Sequence, residues 1–263
     1  MAKAENERYN ANSLVRGLEI LKLFNEEKPT LSLVEIAKEL DVSRTVPYRL
    51  LYTLQTMGYL HQDEDTKRYN LTPKVLELGF AFLSSLKLPE ITQPYLEELR
   101  DITGASCHLS ILDDHEVVYV GSAPVRGVSA INVNIGLRIP AHAVANGKLL
   151  LAFLPVDKLN HIIYGSQLKS YTEKTQTDMA AFLEELNTIR EQGYSISKGE
   201  FHHGIQSVAA PIFDSSGKVM AAINVVATEE TFHQEFIENV ALPKVLETSN
   251  KLSGFMGHSF NRR

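Results

Sequence analysis

"DVSRTVPYRLLYTLQTMGYL", residues 41–60, has the spacing of a helix and a proline near its start. A proline in a helix interior removes a backbone donor and crowds the carbonyl four residues back. In the first turn the amides have no intrahelical acceptor, so the missing donor costs little. With Ser43 as N-cap, Pro47 falls in that first turn, Val46, Leu50 and Leu54 face inward, and Gly58 ends the helix. Upstream, "SLVEIAKEL" carries Ser32 and Glu35 in the S-x-x-E spacing of a capping box and puts Leu33, Ile36, Ala37 and Leu40 on one face. Farther back, "NSLVRGLEILKLF" repeats Leu14, Leu18 and Leu21 at helical spacing, with Asn12 or Ser13 as cap. Downstream, two extended runs flank the polar turn "DEDTK", a hairpin signal.

Three helices, the last two joined by a tight turn, followed by a hairpin make a winged helix-turn-helix over residues 10–72. An ordinary helical hairpin over 31–57 is the competing account. Charge bears on the choice. The chain has 263 residues and a net charge of −6, but residues 1–88 hold 12 basic and 12 acidic side chains. Between Asp41 and Asp63 there is no acid, while Arg44, Arg49 and His61 lie in that gap. An apolar core stretch that lacks acids is one reading; a positive face for DNA is the other. In a helix-turn-helix the second helix enters the major groove by its N-terminal residues. Ser43, Arg44, Thr45, Tyr48 and Arg49 are therefore the candidate DNA contacts. Arg44 is the candidate base reader, since a guanidinium grips guanine bidentately; the hydroxyls suit phosphates. Arg49 fits either a phosphate or a carboxylate of the preceding helix. Lys67 and Arg68, in the hairpin turn, suit phosphate, the minor groove or plain solvent.

Residues 73–103 are expected to form a helical, dimerising linker, with Pro89 and Pro94 interrupting before a further helix at about 93–102. Residues 104–255 alternate strands and helices: two strands around Asp113-Asp114-His115, a strand running through Gly136 and Pro140 into a helix, an amphipathic helix ended by Gly193, a hairpin at 214–217 and a C-terminal helix. The class is α+β with an antiparallel sheet. A polar N-terminus, a single cysteine and no apolar run long enough for a bilayer predict a cytoplasmic protein.

The ordered set "SLVRGLEIL", "LSLVEIAKELDVSRTVPYRLLYTLQTMGYL", "RYNLTPKVLELG", "GLRIPAHAVANGKLLLA", "TEKTQTD", "IREQGYSISKGEFHHGIQSVAAPIF" and "AAINV" resembles the IclR family of bacterial transcriptional regulators. The resemblance spans nearly the whole chain. It implies a winged helix-turn-helix joined to a GAF-like effector domain, assembled as a homodimer or homotetramer on a double-stranded operator. It also implies a small organic acid (aromatic, keto or sugar acid) as effector, and a catabolic operon as target. Carried over residue by residue, Ala145 and Asn146 bring backbone amides to a carboxylate. Ser197, Ser207 and Asn224 form the polar side, and Val128, Ile131, Ile139 and Ile205 the apolar lining. Ser207 stands where members often have Cys, and Asn224 where Ser is common. Val46 and Pro47 depart from the family's recognition-helix pattern, so no operator sequence carries over.

The enzymatic alternatives are weak. His202-His203 with His142 offers metal ligands or a base, but neighbours on a strand face opposite ways. Cys107-His108 fails as a nucleophile–base pair for the same reason. No zinc spacing or glycine-rich phosphate loop appears, so no cofactor or metal is expected. A ligand sensor without DNA binding is the remaining alternative, and Arg44 and Arg49 argue against it.

Overall fold

A computed structural model describes residues 10–125, 133–163 and 167–259. The chain divides into two compact units, residues 1–86 and 87–263.

The first unit holds α1 (Asn12–Lys22), α2 (Leu33–Glu39), α3 (Thr45–Thr56), the antiparallel pair β1 (Leu60–Gln62) and β2 (Tyr69–Leu71), and α4 (Val75–Leu86). Its core joins Ile20 and Phe24 to Leu31, Ile36, Leu51, Leu54, Leu60 and Tyr69. The capping box is formed: Glu35 N–H donates to Ser32 Oγ (3.3 Å), and Ser32 N–H to Glu35 Oε2 (2.7 Å). Gly58, at φ 78°, closes α3, a left-handed position that any side chain would strain.

Three local expectations are corrected. Ala11, not Asn12 or Ser13, precedes α1, and Leu14 and Leu18 are exposed while Ile20 is buried. Ser43 does not cap α3: its hydroxyl is hydrogen-bonded to that of Thr45 (2.9 Å), and Arg44 is the flanking residue. The buried stripe of α3 is Pro47, Leu51 and Leu54, so the inward face is turned by one residue from Val46–Leu50. Pro47 supplies the reason. It is the third helical residue, where no intrahelical bond is lost, and the Ser43 carbonyl it would crowd accepts instead from Val46 N–H (3.0 Å). The ring is a core side chain at i, with leucines at i+4 and i+7.

The second unit opens with α5 (Leu88–Thr103), separated from α4 by Lys87 at φ 53°. Pro89 lies in its first turn and Pro94 inside it, so the prolines do not delay the helix as expected. The sheet contains β3 (Ser106–Asp113), β4 (Glu116–Ala123), β5 (Arg138–Pro140), β6 (Ser195–Lys198), β7 (Ile205–Phe213) and β8 (Val219–Thr228) in the order β5-β4-β3-β8-β7-β6, every pair antiparallel. Two hairpins, β3–β4 and β7–β8, are thus joined along the β3–β8 seam.

One face carries α5 and the C-terminal helix α9 (Leu242–Phe255), which the π-helical turn Ile237–Ala241 leads into. Leu96 of α5 approaches Gly121 and Leu109, and Ser249 of α9 donates to the Pro211 carbonyl. On the other face lie α6 (Ala145–Ala152), α7 (Val156–Ile163) and α8 (Met179–Gln192), burying Leu149, Leu151, Phe182 and Leu186. Among the described residues no helix is long and apolar enough to cross a membrane.

Candidate functional site

Two surfaces carry the polar chemistry, one in each unit. The first is the outer side of α3. Thr45, Tyr48, Arg49 and Tyr52 are exposed at i, i+3, i+4 and i+7, one stripe opposite the buried Pro47–Leu51–Leu54 line. Neither the Arg44 nor the Arg49 guanidinium has an intramolecular partner among the described residues, and α3 has no acid in its first turn. The carboxylates of α2 are engaged elsewhere: Glu39 with Lys28 (2.7 Å), Glu35 with Arg68 (2.9 Å) and the Ser32 amide. Those bonds to Ser32, with Arg68 behind them, hold Glu35 down at about 2.

Arg68 is accordingly spent inside the unit. Its guanidinium donates to Thr30 Oγ1 and to the Thr30 carbonyl (both 2.9 Å) as well as pairing with Glu35, which fastens the wing to the start of α2. Lys67 stands exposed in the turn at φ 57°. Tyr52 was not among the sequence candidates; its place one turn beyond Tyr48 was the available signal.

The second surface is a cavity of about 200 Å³ over the inner face of the sheet. Register decides which residues meet there. His108 pairs with Asn224, Ser207 with Val226, and Ser197 with Ser207; cross-strand partners share a face. The floor is therefore a polar stripe crossing β3, β8, β7 and β6. Asn146, Ser197, Ser207, Asn224, Ile139 and Ile205 all line this cavity. The Ala145 side chain does not: it is packed in the apolar cluster between α6 and the sheet. Val128 and Ile131 lie outside the described residues.

Tyr119, Val133, Leu137, Ala143, Val144, Phe201, His202 and Val226 also line it and were missed as lining. Tyr119 follows from strand alternation once the β3–β4 register is known. Phe201 and His202 sit in a loop, where periodicity carries no signal. His202-His203 is also not on a strand, contrary to expectation; it lies in the turn before β7, and His203 faces Glu173 at 3.5 Å. His142 Nε2 is hydrogen-bonded to the Lys169 carbonyl (2.9 Å).

Among the described residues, the cavity lining contains no Lys, Arg, Asp or Glu side chain. It abuts the start of α6, where Val144 is the flanking residue and no side chain caps the first amides. Uncapped, buried helix N-terminal amides with their dipole are suited to an anion. Asn146 Nδ2 donates to Ser110 Oγ (2.8 Å), while Asn146 Oδ1, Asn224 Oδ1, Ser195 Oγ and both ring nitrogens of His108 are buried with no partner among the described residues. Cys107 points to the opposite face, and burial pushes its thiol up to about 12, away from nucleophile chemistry.

The loop carrying Phe201 is held from below. Lys148, fully buried, donates to Glu185 and to both oxygens of Glu200 (2.7 Å each). Thr172 and Thr175 donate to the Gly199 and Glu200 carbonyls (2.7 and 2.6 Å), so "TEKTQTD" works as a clasp.

Residues 13–64 match the IclR helix-turn-helix domain profile, and residues 80–254 match that of the C-terminal domain of IclR bacterial transcriptional regulators. The chain belongs to the IclR family. Among its IclR-type relatives, the Pca regulon regulatory protein of Pseudomonas putida is 33% identical over 91% of this chain and 82% of that one. The IclR crystal structure from Thermotoga maritima is similar with a TM-score of 0.78 and 27% identity, covering 95% of this chain and 100% of that one. The inducer-binding domain of PobR from Acinetobacter, a double mutant in complex with 3-hydroxybenzoic acid, is similar with a TM-score of 0.59 and 30% identity, over 63% of this chain and 97% of that one. As an IclR-type protein, this chain is a ligand-responsive transcriptional regulator with an N-terminal DNA-binding domain and a C-terminal effector domain.

Proposed function

We propose that the regulator reads its operator through Arg44 and the Thr45–Tyr48–Arg49–Tyr52 stripe, and takes a small organic acid, aromatic in class, into the cavity between α6 and the sheet. The observation that carries the second half is a cavity with no charged lining side chain among the described residues, at the uncapped start of α6. Its size supports the class, since about 150 Å³ already admits benzene. PobR's inducer domain, with its hydroxybenzoic acid, supports the same class. Two unpaired arginines on an acid-free helix carry the first half.

The test is fluorescence anisotropy with DNA upstream of the protein's own gene, at two salt concentrations, with and without small carboxylic acids. Salt-sensitive binding that one acid alters is the expected result. Arg44→Ala is expected to weaken operator binding by about 1–3 kcal/mol, roughly 5- to 150-fold, and to affect a random duplex far less. Equal losses on both duplexes would reduce Arg44 to a phosphate contact.

The active species is a homodimer or homotetramer. The support is α4: none of its residues is buried, and Leu76, Leu78, Phe80 and Phe82 are all exposed. Four large apolar side chains exposed on one short helix require cover, and a second copy supplies the same helix. Phe80→Glu is expected to shift sedimentation from oligomer to monomer and to weaken operator binding. An unchanged sedimentation coefficient would remove α4 from the interface.

A further inference from the structure

Resting on the effector reading of this cavity, we infer that His108, with Asn224, selects effectors that carry a hydroxyl group in addition to their carboxylate. His108 is absent from the residues the family resemblance supplied. In sequence it was only the neighbour of Cys107.

The placement is set by the sheet. His108 stands directly opposite Asn224 across the β3–β8 seam. Its ring meets Tyr119 edge-on at 5.5 Å. Asn224 and Tyr119 both line the cavity, and Ser110, two residues along β3, is bonded to Asn146 of α6. His108 therefore lies on the cavity side of the sheet, buried next to the lining residues Asn224 and Tyr119 and not itself part of the lining, while Leu109 faces α5.

The chemistry follows from which atoms are unmatched. His108 is fully buried, and neither ring nitrogen has a partner among the described residues. Burial pushes it down to about 4, so the ring is neutral at pH 7 and presents one N–H donor and one acceptor. Across the seam, Asn224 Oδ1 is an acceptor, also unmatched. A hydroxyl donates and accepts at once. It can give its proton to Asn224 Oδ1 and take the imidazole N–H. A carbonyl or second carboxylate only accepts and leaves Asn224 unpaired; an ammonium only donates and leaves the imidazole N–H unpaired. Leaving such a buried group unmatched is what makes a site reject an analogue. The carboxylate of the same molecule belongs to the start of α6.

The test is isothermal titration calorimetry on the full chain, with acids compared to their deoxy partners: 3- and 4-hydroxybenzoate against benzoate, and lactate against propionate. For wild type, one hydroxylated acid is expected to bind about tenfold or more tightly than its partner. In His108→Phe that preference should fall to near unity, with the deoxy acid's Kd moved by less than about threefold; His108→Gln, which keeps a donor and an acceptor, should restore much of it. If Phe at 108 prevents folding, judged by circular dichroism, His108→Met takes its place. Equal affinities within every pair in wild type, or a preference that survives His108→Phe, would overturn the assignment while leaving the cavity as the effector site. Equal loss of both acids in the variant would make His108 structural and overturn it as well. Failure of every acid to bind wild type would sink the effector reading itself, and this inference with it.

Discussion

Lys148→Met is expected to lower the melting temperature of the effector domain by roughly 10 °C. The lysine has no exposed side-chain surface, and its ammonium is shared between Glu185 and Glu200, whose side chains are 33% and 12% exposed. Removing the cation leaves two carboxylates facing each other, one of them nearly buried. Breaking a buried pair in this way costs about 3–5 kcal/mol, and a domain of this size loses about 2–4 °C per kcal/mol. The damage extends beyond stability, because Glu200 precedes Phe201 and His202 in the cavity wall. Effector affinity should fall with it. Adding Glu200→Gln to Lys148→Met is expected to recover part of the loss, since the more buried charge is then gone. Thermal unfolding followed by circular dichroism decides: a melting temperature within about 2 °C of wild type would mean the network contributes nothing net.

The neighbouring residue gives the second large effect. A Cβ built on Gly147 would lie 2.2 Å from the Ala141 carbonyl oxygen and 2.4 Å from Ala141 Cα. These are backbone atoms and cannot rotate aside. Gly147→Ala must push the turn Ala141–Ala143 off the start of α6, and forced overpacking of this kind costs about 3 kcal/mol or more. Ala143 lines the cavity, so effector binding should be lost along with stability. Gly254→Ala is the control. It sits on α9 with nothing within 4 Å of the added carbon, and should be neutral or stabilising by up to about 1 kcal/mol through helix propensity. Equal effects at the two glycines in urea unfolding would refute the close-approach account.

Local signals were the legible ones. The Ser32–Glu35 box, the Gly58 and Gly193 stops, and the 113–115 and 214–217 turns depend on a few adjacent residues, and each forms as read. The buried face of α3 was misread because Pro47 was treated as a defect to be tolerated, when its ring is part of the core. Arg68 resembled a wing contact because nothing in the spacing from Thr30 to Arg68 shows that they meet. The cavity divides the same way. Asn146, Ser197, Ser207 and Asn224 could be carried over from a resemblance; the His108–Asn224 pairing required the sheet register, which no local pattern encodes.

That pairing also orders events in time. The hairpins β3–β4 and β7–β8 close short loops, but their seam does not: Ser110 donates to the Ala222 carbonyl across 112 positions. Closing so long a loop is entropically slow to be rewarded. Chains made from the N-terminus fold their early domains first, so the residues of α3 and the wing leave the ribosome long before Asn224 exists. A growing chain thus possesses its reading head before it possesses the sensor that governs it. Only a finished molecule offers the effector a floor to bind, and an effector that binds only the finished fold stabilises it by mass action.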